Sequence, residues 1–355
     1  MSTDDLSTTI LNGLYESSEK RRLRPGERYV VASDLHMGNG GRADDFKSNA
    51  ELFTTVMREH YLRHGYRLVL NGDIEELHRF RLDAVRRRWA AVYEVFAAFQ
   101  EQTELHRLAG NHDLELLENP PEDFAVGESL RLDYHGEDIF IFHGHQATLR
   151  ILKNATLVGF VLRYIATPLG LRNRAAAHDS KRRYRTERRV YRFASARKIL
   201  AVIGHTHRPL FESMSKVDTV RFEIEQLIRT YPKASEKKKR WIESEVESYK
   251  DDLARLQPQD GSPGVGVRES LYNESLVVPT VFNSGCAIGK RGITVLELDG
   301  DGHLSLVHWF DRRRSQKYLK TGIYEPTRLE DTDYYRVEMA SDTLEHIMTR
   351  VKLLA

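Results

Sequence analysis

Short apolar runs rich in β-branched and aromatic residues recur along the first half of the chain: Tyr29-Val30-Val31-Ala32, Arg67-Leu68-Val69-Leu70, Leu105-His106-Arg107-Leu108, Asp138-Ile139-Phe140-Ile141-Phe142 and Ile199-Leu200-Ala201-Val202-Ile203. Each has the length and residue types of a buried strand. Over 44–63 and 82–102 the apolar spacing changes to that of an amphipathic helix, so strands and helices alternate and predict a layered α/β architecture. Residues 1–28 read as a short helical or loose leader ending at the turn signal Arg24-Pro25-Gly26-Glu27. Runs at 276–282, 292–298 and 304–309 predict returning antiparallel strands, the last two joined by the turn Asp299-Gly300-Asp301-Gly302. The tail over 337–354 predicts a terminal helix.

Two segments break this rhythm. Residues 147–198 form a helical insert with an apolar half, 155–171, and a basic half, 172–198. Residues 216–256 predict two amphipathic helices joined at Tyr231-Pro232, followed by a loop over 257–267. The plan is therefore a leader (1–28), a core in three pieces (29–146, 199–215 and 270–330), a cap insert (147–198), a second insert with its loop (216–269) and a C-terminal helix within 331–355.

Composition narrows the class. The 355 residues, 40% hydrophobic and 30% charged with 23 Gly and 10 Pro, describe an ordinary globular protein and exclude collagen-like, disulfide-scaffold and wholly disordered chains. A single cysteine, Cys286, excludes an internal disulfide and any multi-Cys metal site, and predicts a cytoplasmic protein. Residues 1–20 carry no secretory pattern, and the apolar stretch 155–171 is interrupted by Arg163 and Pro168, short of a membrane span. The net charge of +2 hides an asymmetry: between Arg150 and Leu200, fourteen Lys and Arg stand against Asp179 and Glu187. An anionic partner is expected at that one place.

The chemistry lies where the five strands stop, in Asp34-Leu35-His36, Gly72-Asp73, Gly110-Asn111-His112-Asp113, His143-Gly144-His145 and Gly204-His205-Thr206-His207. Residues just past the carboxyl ends of strands in an α/β sheet converge on one crevice. Taken singly, Gly-Asp is a turn and a lone His is more often hydrogen-bonded than ligating. Together, Asp, His and Asn supply oxygen and imidazole donors without a thiolate, a set suited to Mn, Fe or Zn. Asp34, His36, Asp73, Asn111, His143, His205 and His207 give seven donors, and one shared carboxylate makes four for each of two ions. Two such ions activate water and clamp phosphoryl oxygens.

In its order Asp-x-His, Gly-Asp, Gly-Asn-His-Asp, His-Gly-His, Gly-His-x-His, the sequence resembles the calcineurin-like metallophosphoesterases, over about 29–208 and the returning strands. The resemblance implies a four-layer αββα sandwich with mixed sheets, here carrying the cap insert and the second helical insert. It implies two divalent ions, Mn2+ foremost, with Fe, Zn or Ni also suited. Asp34, His36, Asp73 and His207 would hold one; Asp73, Asn111, His143 and His205 the other. His112 would face the scissile phosphate and serve the leaving oxygen, oriented by Asp113. His145 would be second to His143, since only the first His of that motif is the family's ligand. Asn283-Ser284-Gly285, after a returning strand, reads as a plain turn or, equally, by its resemblance to the family's Asn-x-Gly segment, as part of the site.

Substrate choice falls to the inserts. The insert between His145 and Gly204 must rise beside the site, where Arg182, Arg183 and Arg185 among its basic residues would bind an anionic phosphorylated substrate. Combined with the apolar half, it favours an amphiphile and peripheral contact with the inner membrane surface through 155–198. The cap layout is similar to the branch that hydrolyses UDP-2,3-diacylglucosamine in lipid A synthesis, and Asp73-Ile74-Glu75-Glu76 resembles its Gly-Asp-x-x-Glu segment. The chain departs from that branch in its 216–256 insert and C-terminal extension. The expectation is a phosphodiesterase or pyrophosphatase acting on a nucleotide-linked or lipid-linked substrate. The alternatives are a nuclease or nucleotide phosphodiesterase, a phosphomonoesterase and, least of all, a non-enzymatic scaffold; nucleic acid is the lesser partner because aromatics in the basic half are sparse. Oligomeric state is open.

Overall fold

A computed structural model describes residues 3–148, 180–211, 231–256, 278–321 and 324–355, with isolated positions between 220 and 228. The described elements are α1 (Thr3–Ser17), β1 (Lys20–Arg22), β2 (Arg28–Ala32), α2 (Ala50–Val56), β3 (Arg67–Asn71), α3 (Leu82–Arg88), α4 (Ala90–Gln102), β4 (Leu105–Leu108), α5 (Glu115–Glu118), β5 (Ser129–Tyr134) and β6 (Glu137–Phe142). They continue with α6 (Ser180–Arg197), β7 (Leu200–Ile203), α7 (Glu236–Leu256), β8 (Val281–Asn283), β9 (Ile293–Asp299), β10 (His303–Asp311), α8 (Lys317–Thr321), β11 (Thr327–Arg328), β12 (Tyr334–Thr343) and α9 (Leu344–Leu354).

The strands form two mixed sheets, one in the order β1-β5-β6-β7-β8 and one in the order β11-β12-β10-β9-β2-β3-β4. Strand alternation builds the layers. From β2, Tyr29 and Val31 enter a core shared with Ile139, Ile141 and Val202 of the other sheet, whereas Val30 and Ala32 face Phe53 of α2 and Phe96 of α4. Phe140 of β6 meets Tyr15 of α1, with ring centroids 5.3 Å apart, and Phe193 of α6 at 6.1 Å. Helices thus cover the outer face of each sheet, giving the four-layer αββα sandwich. Three parallel neighbours in one sheet, β2-β3-β4, and β6-β7 in the other send their carboxyl ends to the same edge.

Four readings of the pattern are corrected. The first 28 residues are no loose leader: α1 buries Leu11, Leu14 and Tyr15, and β1 pairs in parallel with β5. The strand near 276–282 is β8, which lies parallel to β7 rather than antiparallel. The tail helix begins only at Leu344, because 334–343 form β12, paired along its length with β10. The single helix over 82–102 is two, broken at Trp89, whose Nε1 donates to Gly38 O at 2.9 Å. β5, absent from the pattern reading, alternates buried Leu130 and Leu132 with partly exposed neighbours and turns into β6 at His135-Gly136, both with positive φ. The apolar half of the cap, 155–171, lies outside the described residues. No described helix is long and apolar enough to cross a membrane.

Candidate active site

Loops leaving β2, β3, β4, β6 and β7 are stitched together by their main chains. Asp34 N–H donates to Gly72 O at 3.0 Å, His36 N–H to Asp73 O at 2.9 Å, and Gly204 N–H to His143 O at 3.0 Å. Asn71 links the sheets: its Nδ2 donates to Phe142 O at 3.1 Å, and its carbonyl lies 2.8 Å from His143 Nδ1.

The backbone at this edge is strained. Asp34, His36, Asp73, His205 and His207 all have positive φ, at 54°, 47°, 53°, 61° and 55°. A side chain held there costs about 1–3 kcal/mol and persists only where its surroundings fix it. The neighbouring glycines permit close approach: a Cβ on Gly110 would lie 2.2 Å from Asp73 Oδ1, and one on Gly72, itself at φ 82°, would lie 2.5 Å from His143 Nδ1.

Side chains converge on Asp73. Its Oδ2 lies 3.2 Å from His143 Nε2, 3.7 Å from His36 Nε2 and 4.0 Å from His112 Nε2. His207 Nε2 lies 3.1 Å from both Asp34 Oδ1 and His36 Nε2. Three groups with ligand atoms within 4.8 Å of one another follow among the described residues, Asp34-His36-Asp73-His207, Asp73-His143-His205 and His36-Glu76-His112, and Asp73 belongs to the first two. Asn111 is buried beside them. Burial alone would raise the Asp73 pKa, but His143, His112 and His36 outweigh it and hold the carboxylate well below its usual range. The same contest, won by Asp73, lifts His143 to about 9, while burial and the charge on His143 push His205 down to about 3.

These residues fit a pair of divalent ions. Asn111 Oδ1 is buried and makes no hydrogen bond, a costly state unless a cation satisfies it, and the buried Asp34 Oδ1 and His143 Nε2 meet other members of the donor set, His207 Nε2 at 3.1 Å and Asp73 Oδ2 at 3.2 Å. Close oxygen and imidazole donors around a shared carboxylate are what a binuclear site requires.

One expected partnership is corrected. Asp113 does not orient His112: its Oδ1 accepts from Gly110 N–H at 2.6 Å and its Oδ2 from Ile74 N–H at 2.7 Å, so it braces the two loops. Both carboxylate oxygens are engaged by backbone amides. The carboxylate on His112 is Glu76, whose Oε1 lies 2.7 Å from His112 Nδ1 and whose Oε2 lies 3.1 Å from His36 Nδ1. Against the effect of burial, Glu76 and Asp73 push His112 up to about 10. The signal for Glu76 was an acid three residues past Asp73.

Other residues fall around this centre. His145 is buried, its ring 5.5 Å from that of His143, and burial keeps its pKa well below the usual value. Asn283 donates to Gly204 O at 2.8 Å and Thr206 Oγ1 at 2.9 Å, while Ser284 Oγ lies 2.8 Å from Ser33 Oγ, so the Asn283-Ser284-Gly285 segment closes over the back of the site. Pattern reasoning missed Ser33, Asn71 and Glu75; Glu75 is buried against Arg107 and Tyr93. None of the three carries a motif signal by itself. Of the expected substrate-binding residues on α6, Arg183 is half-buried and Arg185 exposed; the Arg182 side chain lies outside the described residues.

Compared with known proteins, residues 27–209 match the calcineurin-like phosphoesterases, just over half of the chain. No curated protein matches it significantly. Among solved structures, the chain is similar to the phosphoesterase YfcE of E. coli, at 14% identity over 89% of this chain and 99% of that one, with a TM-score of 0.33. It is also similar to a dimetal phosphatase from Danio rerio, at 10% identity over 79% and 95%, with a TM-score of 0.35.

Proposed function

Because this chain belongs to the calcineurin-like phosphoesterase family and is a metal-dependent hydrolase, we propose that it cleaves a phosphodiester or pyrophosphate bond at a binuclear site built from seven side chains. Asp34, His36, Asp73 and His207 would hold one ion, and Asp73, Asn111, His143 and His205 the other. The observation that carries this reading is the presence of Asp73 in two ligand groups, beside the buried Asn111 Oδ1, which makes no hydrogen bond. Two divalent ions, Mn2+ foremost, supply the positive charge that makes water nucleophilic at neutral pH and draws phosphoryl oxygens.

The chain's own residues do the rest. Glu76 accepts from His112 Nδ1, which fixes the ring and leaves Nε2 facing Asp73, where a phosphoryl leaving oxygen would sit. Held protonated by that carboxylate, His112 gives its Nε2 proton to the leaving oxygen, a role worth about 10²–10⁴ in rate. Asp113 and the left-handed backbone at Asp73 keep the donor loops in register.

For the organic part, the basic face of the cap supports a substrate with more than one negative charge, and the branch resemblance supports a nucleotide-linked lipid met at the inner membrane surface. Arg182, Arg183 and Arg185 are assigned to its extra phosphate or carboxylate charge.

The deciding experiment compares hydrolysis of bis(p-nitrophenyl) phosphate and p-nitrophenyl phosphate by Mn2+-loaded and EDTA-treated protein. Metal-dependent preference for the diester is expected; preference for the monoester would overturn the reading. Neutralising Arg182, Arg183 and Arg185 together should then raise KM for UDP-2,3-diacylglucosamine far more than for the aryl diester.

A further inference from the structure

Helix α6 carries eight Lys and Arg and one acid, Glu187. An acid in such a helix would be expected to neutralise its neighbours at the surface. Instead Glu187 is buried, its side chain 1% exposed, and points off the helix into the loop between β7 and β8. Its Oε1 accepts from Thr206 Oγ1 at 2.9 Å and from Arg208 Nε at 3.2 Å, and its Oε2 accepts from Arg208 Nη2.

Thr206 stands between His205 and His207, whose backbones both lie in the left-handed region. A threonine hydroxyl has one proton to give. That proton goes to Glu187, and the oxygen accepts from Asn283 Nδ2 at 2.9 Å; Asn283 Oδ1 in turn accepts from Gly285 N–H at 2.8 Å. The chain of donors runs in one direction from β8 through Thr206 to α6, and it seizes the loop at the single residue separating two ligands assigned to different ions. A strained backbone needs such external fixing to persist.

We propose that Glu187 is a positioning residue: through Thr206 and Arg208 it holds the His205-Thr206-His207 loop in its ligating shape and so sets the metal affinity of the site. The inference rests on the binuclear reading above. It assigns α6 a duty distinct from contacting substrate, and it places that duty on the residue in the helix with the opposite charge. Partners that hold metal ligands from behind typically change metal affinity by about tenfold to a hundredfold.

The test measures Mn2+ binding to the full chain by titration calorimetry after chelation, without substrate, alongside thermal unfolding. Glu187→Ala and Thr206→Val should weaken Mn2+ binding by about tenfold or more, whereas Thr206→Ser, which keeps the hydroxyl, should restore it. Val190→Ala removes buried packing from the same helix and none of the hydrogen bonds among Glu187, Thr206 and Arg208; it should lower the melting temperature and leave Mn2+ affinity unchanged. If Glu187→Ala fails to fold, Thr206→Val decides. Unchanged affinity in Thr206→Val, or an equal loss in Val190→Ala, would overturn the inference. Wild-type protein that bound no Mn2+ would overturn the binuclear reading instead.

Discussion

At the scale of single residues, the pair Glu76 and His112 separates catalysis from metal binding. His112→Ala should keep both ions, measured by metal content after gel filtration, and lose about 10²–10⁴ in kcat as the positioned acid is removed. Asp73→Asn should lose ions and turnover together, since Asp73 sits in two ligand groups. Glu76→Gln keeps the shape but not the charge that lifts His112, so the His112 pKa should fall. The basic limb of the rate profile should then move to lower pH. A profile identical to wild type would show that Glu76 does not control His112. Residue types and order pointed to the proposed donors and the family resemblance to His112; which carboxylate stands behind His112 was not legible, because Asp113 is its neighbour in sequence and Glu76 only in space.

At the scale of elements, strands with bounded apolar runs were legible to within a residue or two: β2, β3, β4 and β6 each contain their expected run, and β7 contains all of its own but Ile199. Elements whose partner lies far away in sequence were not. The tail 334–343 has enough apolar residues at mixed spacing to read as helix, yet becomes β12 because β10 offers an edge to pair with. Likewise α1 has an ordinary amphipathic sequence, and only the outer face of the first sheet makes it part of the core. Leu11→Ala should therefore cost about 2–5 kcal/mol in urea unfolding, where a detached leader would cost almost nothing. β10 also carries a pH response. His308 is buried beside Phe310 and Tyr318, and burial pushes it down to about 4 despite hydrogen bonds to the backbone at Arg291 and Ile293. Unfolding lets it bind a proton between its two pKa values, so its contribution is complete above about 6.5 and declines as pH falls toward 4. Urea unfolding at pH 7 and pH 5 should show His308→Phe losing less stability on acidification than wild type.

At the scale of the whole molecule, two sheets packed face to face bring buried acids and histidines to one edge. Asp34 and Asp73 are buried together, and His36, His143, His205 and His207 crowd the same space. Ions that bind only the folded chain stabilise it, by about 2.7 kcal/mol per site at a hundredfold excess over Kd. Chelation should therefore lower the melting temperature, and added Mn2+ should raise it in proportion to the logarithm of its concentration; a melting temperature indifferent to both would count against the site. The sequence by itself determined the alternation of strands and helices, the five strand-end motifs and hence the chemistry, because those depend on local periodicity and on residue types that few other reactions need together. The family resemblance already put Asp73 in both ligand sets; the tertiary structure alone decided that Glu76 backs His112 and that Glu187 turns inward from a basic helix. Those are facts of direction and distance between segments far apart in the chain, set by how two twisted sheets pack, and no local pattern encodes them.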